Sequence, residues 1–246
     1  MWKWRRRGQD NDAPAPLVLT AVSNDLARGA ARLGALAWTD WRRFDAELRA
    51  RTTTAPDWIA GWWGIAPDAV IPYCSAAAEP TLAAALLSMH PNGRVREAAV
   101  RQLILLGTPD CIPALILRST DWVRQVRDAA SEGLDGLRET LGPSAFLPAL
   151  SPLEQPRWSV RARADSLDET RSWLLSRIET ADLVTAVHWS DPKVRRAAAR
   201  ALVARSAAGA AVMSALDQSD PVAATIIANG MTSADWALPG ALERAL

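Results

Sequence analysis

The chain has 246 residues, enough for one or two domains with a sizeable core. With 49% apolar and 22% charged residues it reads as a globular protein, not a disordered one. Lys+Arg is 28 and Asp+Glu 27, and a net charge of +1 argues against bulk electrostatic capture of nucleic acid or an anionic membrane. Residues 1–16 form a polar, charged tail that closes in Ala13-Pro14-Ala15-Pro16, and a segment of that composition is expected to be mobile. Its start, Trp2-Lys3-Trp4-Arg5-Arg6-Arg7, is a local basic cluster that can touch anionic partners without anchoring the protein. It looks like the charged start of a secretion signal, but the acidic, polar Gly8-Gln9-Asp10-Asn11-Asp12 comes next in place of an apolar region, so secretion is not expected.

From Leu17 the pattern turns helical. Asn24–Ala37 carries Leu26, Ala30, Leu33 and Ala37 at helical spacing, and Trp38–Ala50 carries Trp38, Trp41, Phe44, Ala46 and Leu48. The segment Pro56–Gly64, with Trp58, Trp62 and Trp63, is too short and glycine-punctuated for more than two turns. Prolines 67, 72 and 80 cut the next stretch into short pieces, so residues 17–78 read as a Trp-rich helical cap.

Residues 79–246 repeat themselves. Val95-Arg96-Glu97-Ala98-Ala99 returns as Val126-Arg127-Asp128-Ala129-Ala130 and as Val194-Arg195-Arg196-Ala197-Ala198. A weaker copy is Val160-Arg161-Ala162-Arg163-Ala164, and a decayed one is Val222-Ala223-Ala224-Thr225-Ile226. The anchor valines are 31, 34, 34 and 28 residues apart, which predicts stacked helix pairs. First helices are expected over Thr81–Met89, Cys111–Arg118, Ser144–Leu150, Ala181–His188 and Ala208–Leu216. Second helices are expected from about Arg94, Trp122, Arg157, Pro192 and Pro221. Asp191-Pro192 and Asp220-Pro221 place a capping carboxylate before a proline that gives up no hydrogen bond at the first helical position; Asn92 and Asp121 can cap in the same way. A single pair cannot bury its apolar face alone, so the fold class is all-α, an α-solenoid of about five pairs behind the cap.

The blocks HPNGRVREAAVRQL, TDWVRQVRDAASEGL and SDPKVRRAAARAL resemble HEAT repeats, most closely the short bacterial kind also found in phycobilisome-lyase-type proteins. The likeness covers roughly residues 79–230. It is specific for the α-solenoid; with no metal set, no nucleophile with a base and no phosphate-binding glycine loop, the expected function is a scaffold without cofactor or catalysis that holds a protein or peptide on its concave face, and the two isolated cysteines suit the cytoplasm. The likeness also implies a ladder in which a turn aspartate pairs with the arginine after the anchor valine. Asp121 and Asp191 match the aspartate, and Arg96, Arg127, Arg161 and Arg195 match the arginine. Asp220 keeps the aspartate, but Ala223 replaces the arginine, so regular stacking is expected to weaken at the C-terminal end.

The arginine row has a second reading as an anion-binding stripe on the concave face, joined by Arg196 and Arg200. The charge alternates in sign from one second helix to the next, which does not suit a continuous nucleic-acid track, so nucleic acid ranks behind protein as a partner. Trp58, Trp62 and Trp63 fill the cap core or open as an aromatic pocket, and Trp122, Trp158 and Trp189 at the turns suggest packing across the ridge between pairs. His90 and His188 each end a first helix, where a histidine suits the helix dipole.

Cys74 and Cys111 are isolated and lie in apolar settings, as core thiols in a reducing compartment would, although the sequence alone leaves a single bridge open. No metal-ligand spacing is present. The longest apolar run, Leu103–Leu117, is broken by Gly107-Thr108-Pro109-Asp110 and Pro113, so no membrane span is expected. The alternative function is a HEAT-like DNA glycosylase acting on alkylated bases, a class that lines its cleft with tryptophans and an aspartate. Trp41 with Asp45, and Trp62-Trp63 with Asp68, resemble that set loosely, but the set does not recur in the repeats.

Overall fold

The computed structural model describes residues 64–153, 164–189, 191–211 and 220–231, with Leu33, residues 41–46, Leu48 and Trp62. The expected N-terminal tail, Trp58, Trp63, Trp158 and Arg161 lie outside the described residues.

All regular structure among the described residues is helical, as the composition and periodicity predict. After a 3-10 turn at Pro67–Ala69 come α1 (Val70–Ala76), α2 (Pro80–Leu87) and α3 (Gly93–Leu106). A second 3-10 turn, Pro109–Cys111, leads into α4 (Ile112–Arg118) and α5 (Arg124–Leu141). A longer one, Pro143–Ala149, runs into the short α6 (Leu150–Leu153), and then come α7 (Ala164–Arg177), α8 (Thr180–Ala186) and α9 (Pro192–Ala204). Last are the 3-10 turn Ala208–Ala211 and α10 (Pro221–Gly230).

The elements pair as hairpins. α2 packs on α3, α4 on α5 and α8 on α9, while α3 also packs on α5, and α9 on α10. The second helix of each hairpin is amphipathic for the reason its spacing gives. α3 buries Val95, Ala99, Val100 and Leu103, and α9 buries Val194, Ala197, Ala198, Ala201 and Leu202. The first helices vary in cover: all seven residues of α4 are buried, whereas α8 buries only Leu183 and Ala186. Each leucine taken fully out of water contributes about 1.5–3 kcal/mol before the entropy of ordering it is set against it.

The starts and stops follow local chemistry. Asn92 Oδ1 accepts from the Arg94 amide at 3.0 Å, and Asp191 Oδ1 accepts from the Lys193 amide at 2.8 Å. Asp220 Oδ1 accepts from the Val222 and Ala223 amides at 3.1 and 3.2 Å. These are the caps the Asn and Asp positions predict. α3 ends where Gly107 takes φ +62° and returns its amide to the Leu103 carbonyl, a conformation that costs a glycine nothing.

Two first helices differ from expectation, and of Ala208–Leu216 the described part, Ala208–Ala211, is a 3-10 turn. Over Ser144–Leu150 the chain forms a 3-10 turn, because Pro148 has no amide to donate and its ring crowds the preceding turn. Pairing of the hairpins is close enough to require glycine at two positions. A Cβ on Gly133 of α5 would sit 2.5 Å from Cγ1 of Ile104 on α3. One on Gly230 of α10 would overlap Val203 of α9. The expectation for Ala223 concerns the seam after α10, outside the described residues; at the seam before it α10 lies hard against α9.

Candidate functional site

The most concentrated chemistry is buried where α2–α3 and α4–α5 meet residues 41–46 and Trp62. The anchor valine of α3 faces the core, and the arginine after it, Arg96, turns into the seam and is fully buried. Its Nε and Nη2 donate to the two carboxylate oxygens of Asp121, each at 3.0 Å, and its Nη1 donates to the carbonyls of His90 and Pro91. This fork-on-fork geometry fixes direction as well as distance. Asp121 also takes the Val123 amide at 2.9 Å, in the turn ahead of α5; the expected cap by Asp121 is not made, because the cap residue is Val123, which has no side-chain cap bond.

A second arginine reaches the same carboxylate. Arg118, the only charged residue of α4, is 1% exposed. Its Nη1 lies 3.1 Å from Asp121 Oδ2 and its Nη2 lies 2.7 Å from Asp45 Oδ2. The cluster is thus two arginines and two aspartates, balanced in charge and spread over three parts of the chain. Burial alone would push the Asp121 carboxyl up; Arg118, Arg96 and the Val123 amide outweigh it and hold the group below the ordinary aspartate value. The Arg118 Nε finds no partner.

His90 sits beside this cluster, fully buried. Its Nε2 is 2.6 Å from the Trp62 carbonyl, its Nδ1 takes the Asn92 amide at 3.0 Å, and its ring stands 4.7 Å from that of Trp62. An imidazole that accepts at Nδ1 and donates at Nε2 is neutral. The expectation that His90 serves a helix dipole is corrected here: the ring is a core group that fastens residue 62 to the first pair. His188, by contrast, is exposed beyond the end of α8.

The seam between α9 and α10 repeats the first. Arg195 donates from Nε and Nη2 to Asp220 Oδ2, at 3.3 and 3.0 Å, across the same 25-residue separation as Arg96 and Asp121. Its Nη1 donates to the Trp189 carbonyl at 2.7 Å. Arg196 adds two longer bonds to Asp220 Oδ1. Ala223 does not disturb this seam, because the arginine comes from the preceding helix. Burial pushes the Asp220 carboxyl up, and the Ala223 amide, Arg196 and Arg195 overcome that and hold it low.

The remaining predicted residues scatter. Arg127 donates to the Asp121 carbonyl at 3.0 Å and is part-buried, and Arg200 is exposed on α9. Trp62 is buried, as is Trp41, whose indole donates to the Leu33 carbonyl at 3.2 Å. Of the glycosylase-like residues, Asp45 is the partner of Arg118 and Asp68 stands on the surface. Trp122 does not pack across a ridge: it is 69% exposed, with its ring 5.6 Å from the Arg96 guanidinium. Trp189 does pack, half-buried against the core. Sequence reasoning missed Arg118 and the Asp45 contact. The available signal was a lone charge ending the otherwise apolar run Ile112–Leu117.

Both cysteines are free and buried, and burial pushes the Cys74 thiol up to about 11, which keeps it protonated. Among the described residues no group of three or more His, Cys, Asp and Glu could hold a metal ion, and no helix is long and apolar enough to cross a membrane. No family model, no curated protein and no solved structure matches the chain.

Proposed function

We propose that the chain is an α-solenoid of about five HEAT-like helix pairs behind a helical cap, acting in the cytoplasm as a scaffold that holds a protein or peptide on the face of its second helices. The observation that carries this reading is how the charges are divided. Arg96 and Arg195 are spent inside seams of identical reach, while the outward charges of the second helices change sign from helix to helix. α3 shows Arg94 and Arg101; α5 shows Glu132, Asp135 and Glu139 beside Arg124; α9 shows Lys193 and Arg200. A mixed face suits a polypeptide of complementary pattern better than a uniform polyanion. Leu105, 77% exposed on α3 beside these charges, offers an apolar contact of the kind that anchors an interface.

The test is capture of partners from the native host with the wild-type chain and with a Leu105→Glu, Glu132→Arg variant. A discrete partner that the wild type retains and the variant loses supports the reading. Small-angle scattering checks the solenoid, which requires an elongated particle. Release of free base from alkylated duplex DNA by the purified protein would overturn the proposal in favour of the glycosylase reading, which would require Trp41 and Asp45 to leave their buried positions.

A further inference from the structure

We propose that His90 is a proton-sensitive latch that holds Trp62 and the turn after it, residues 64–69, onto the first helix pair and releases them on mild acidification. The His90 ring is wholly enclosed, and each of its nitrogens has one partner. Nε2–H donates to the Trp62 carbonyl, and Nδ1 must accept, because the group facing it is the Asn92 amide. A second proton on the ring would set N–H against N–H at 3.0 Å in an enclosed site. The charged form has one relief, which is for the ring to leave.

Leaving undoes the hold on Trp62. The tilted ring contact at 4.7 Å and the 2.6 Å bond to its carbonyl are both made by this ring, and the Trp62 indole nitrogen is itself buried without a partner. The event also strains the start of α3, because Asn92, which loses its amide acceptor, caps that helix through Oδ1.

The surrounding charges favour this direction. The nearest is the Arg96 guanidinium on α3, bonded to the carbonyl of His90 itself. Asp121, which could have stabilised an imidazolium, is already shared between Arg96 and Arg118, and Asp45 is engaged by Arg118. From α1 the titratable groups are Tyr73, exposed, and Cys74, protonated at neutral pH; Glu79 ahead of α2 is exposed. Burial lowers the affinity of His90 for a proton below that of a free histidine; the bond to the Trp62 carbonyl opposes this without overcoming it, and Arg96 lowers it further. With the folded value depressed below 6.5, the closed state is favoured fully above about pH 6.5. It then loses ground by up to about tenfold per pH unit as pH falls toward the folded value.

The chain has two histidines, so the test is direct. Imidazole NMR resonances are followed from pH 8 to 5, with assignment through His188→Gln, and amide exchange of residues 60–70 is measured over the same range and corrected for intrinsic rates. Protection of 60–70 is expected to fall in step with His90 protonation while α9 stays protected. A His90→Asn variant, which keeps an acceptor near the Asn92 amide but no titrating ring, should show no such dependence. If that variant does not fold, the wild-type titration decides. The proposal is overturned if His90 charges without loss of protection at 60–70. It is equally overturned if 60–70 keeps its protection to pH 5, or if α9 opens together with it, which is global acid unfolding.

Discussion

Gly133 and Gly136 lie one turn apart on α5, and the same substitution is expected to act on them with opposite sign. Alanine in a helix interior is favoured over glycine by about 0.5–1 kcal/mol, because glycine loses more backbone freedom on folding. At Gly136 a Cβ meets nothing within 4 Å, so Gly136→Ala should show that gain undiluted. At Gly133 the new methyl falls 2.5 Å from Ile104 Cγ1, 2.8 Å from its Cδ1 and 3.6 Å from Leu115 Cδ1. Cγ1 is held by a β-branched carbon that has little rotamer freedom in a helix, so α3 and α5 must part or Ile104 must leave its rotamer. Overpacking of this kind costs about 1–3 kcal/mol, and the net effect is a loss of up to about 2 kcal/mol. Because the propensity gain is common to both sites, the difference between the variants isolates the overpacking. Urea unfolding reads it directly, and thermal melts should separate the two by several degrees at about 2–4 °C per kcal/mol. Adding Ile104→Ala to Gly133→Ala should recover part of the loss as a coupling energy. Equal stability of Gly133→Ala and Gly136→Ala would refute the close approach of α3 and α5.

Asp121→Asn removes the carboxylate that Arg96 and Arg118 share and should cost about 3–5 kcal/mol in urea unfolding, the scale of a broken buried pair. Asp220→Asn should cost less, about 1–2 kcal/mol, because Arg195 and Arg196 are partly exposed and turn to water; the reverse order would contradict the burial described. Asp121 is held below its ordinary value of 3.8, so its contribution is complete above that pH and is lost as pH falls through the folded value; Asp121→Asn should therefore flatten the acid limb of a stability–pH curve below about pH 4. Iodoacetamide at pH 8 should label neither Cys74 nor Cys111 in the native protein and both after unfolding, as counted by mass spectrometry.

Capping chemistry is local and therefore legible in the sequence. Asn92, Asp191 and Asp220 cap where a short polar side chain meets the first turn of a helix, and the recurrence of Val-Arg gives the register of α3 and α9. What the sequence hides is the partner at a distance. Arg118 belongs to no repeat position, and its counter-charge Asp45 is 73 residues away in a segment with a different pattern. Nothing local shows that His90 points inward to Trp62 while His188, at the equivalent place, faces water, because that choice is made by what packs over each turn. The third first helix departs from its expected form for a local reason: the apolar spacing of Phe146, Leu147 and Leu150 fits a helix, and the missing amide of Pro148 overrides it.

The matching reach of Arg96 to Asp121 and of Arg195 to Asp220 bears on how fast the chain finds its structure. Loop closure over some 25 residues costs little entropy, since each doubling of a loop adds only about 0.6 kcal/mol. A chain whose seams close over such short spans has a low contact order, and low contact order goes with rapid folding. The docking of Asp45 on Arg118, 73 residues apart, lies outside that spacing and is expected to be slower.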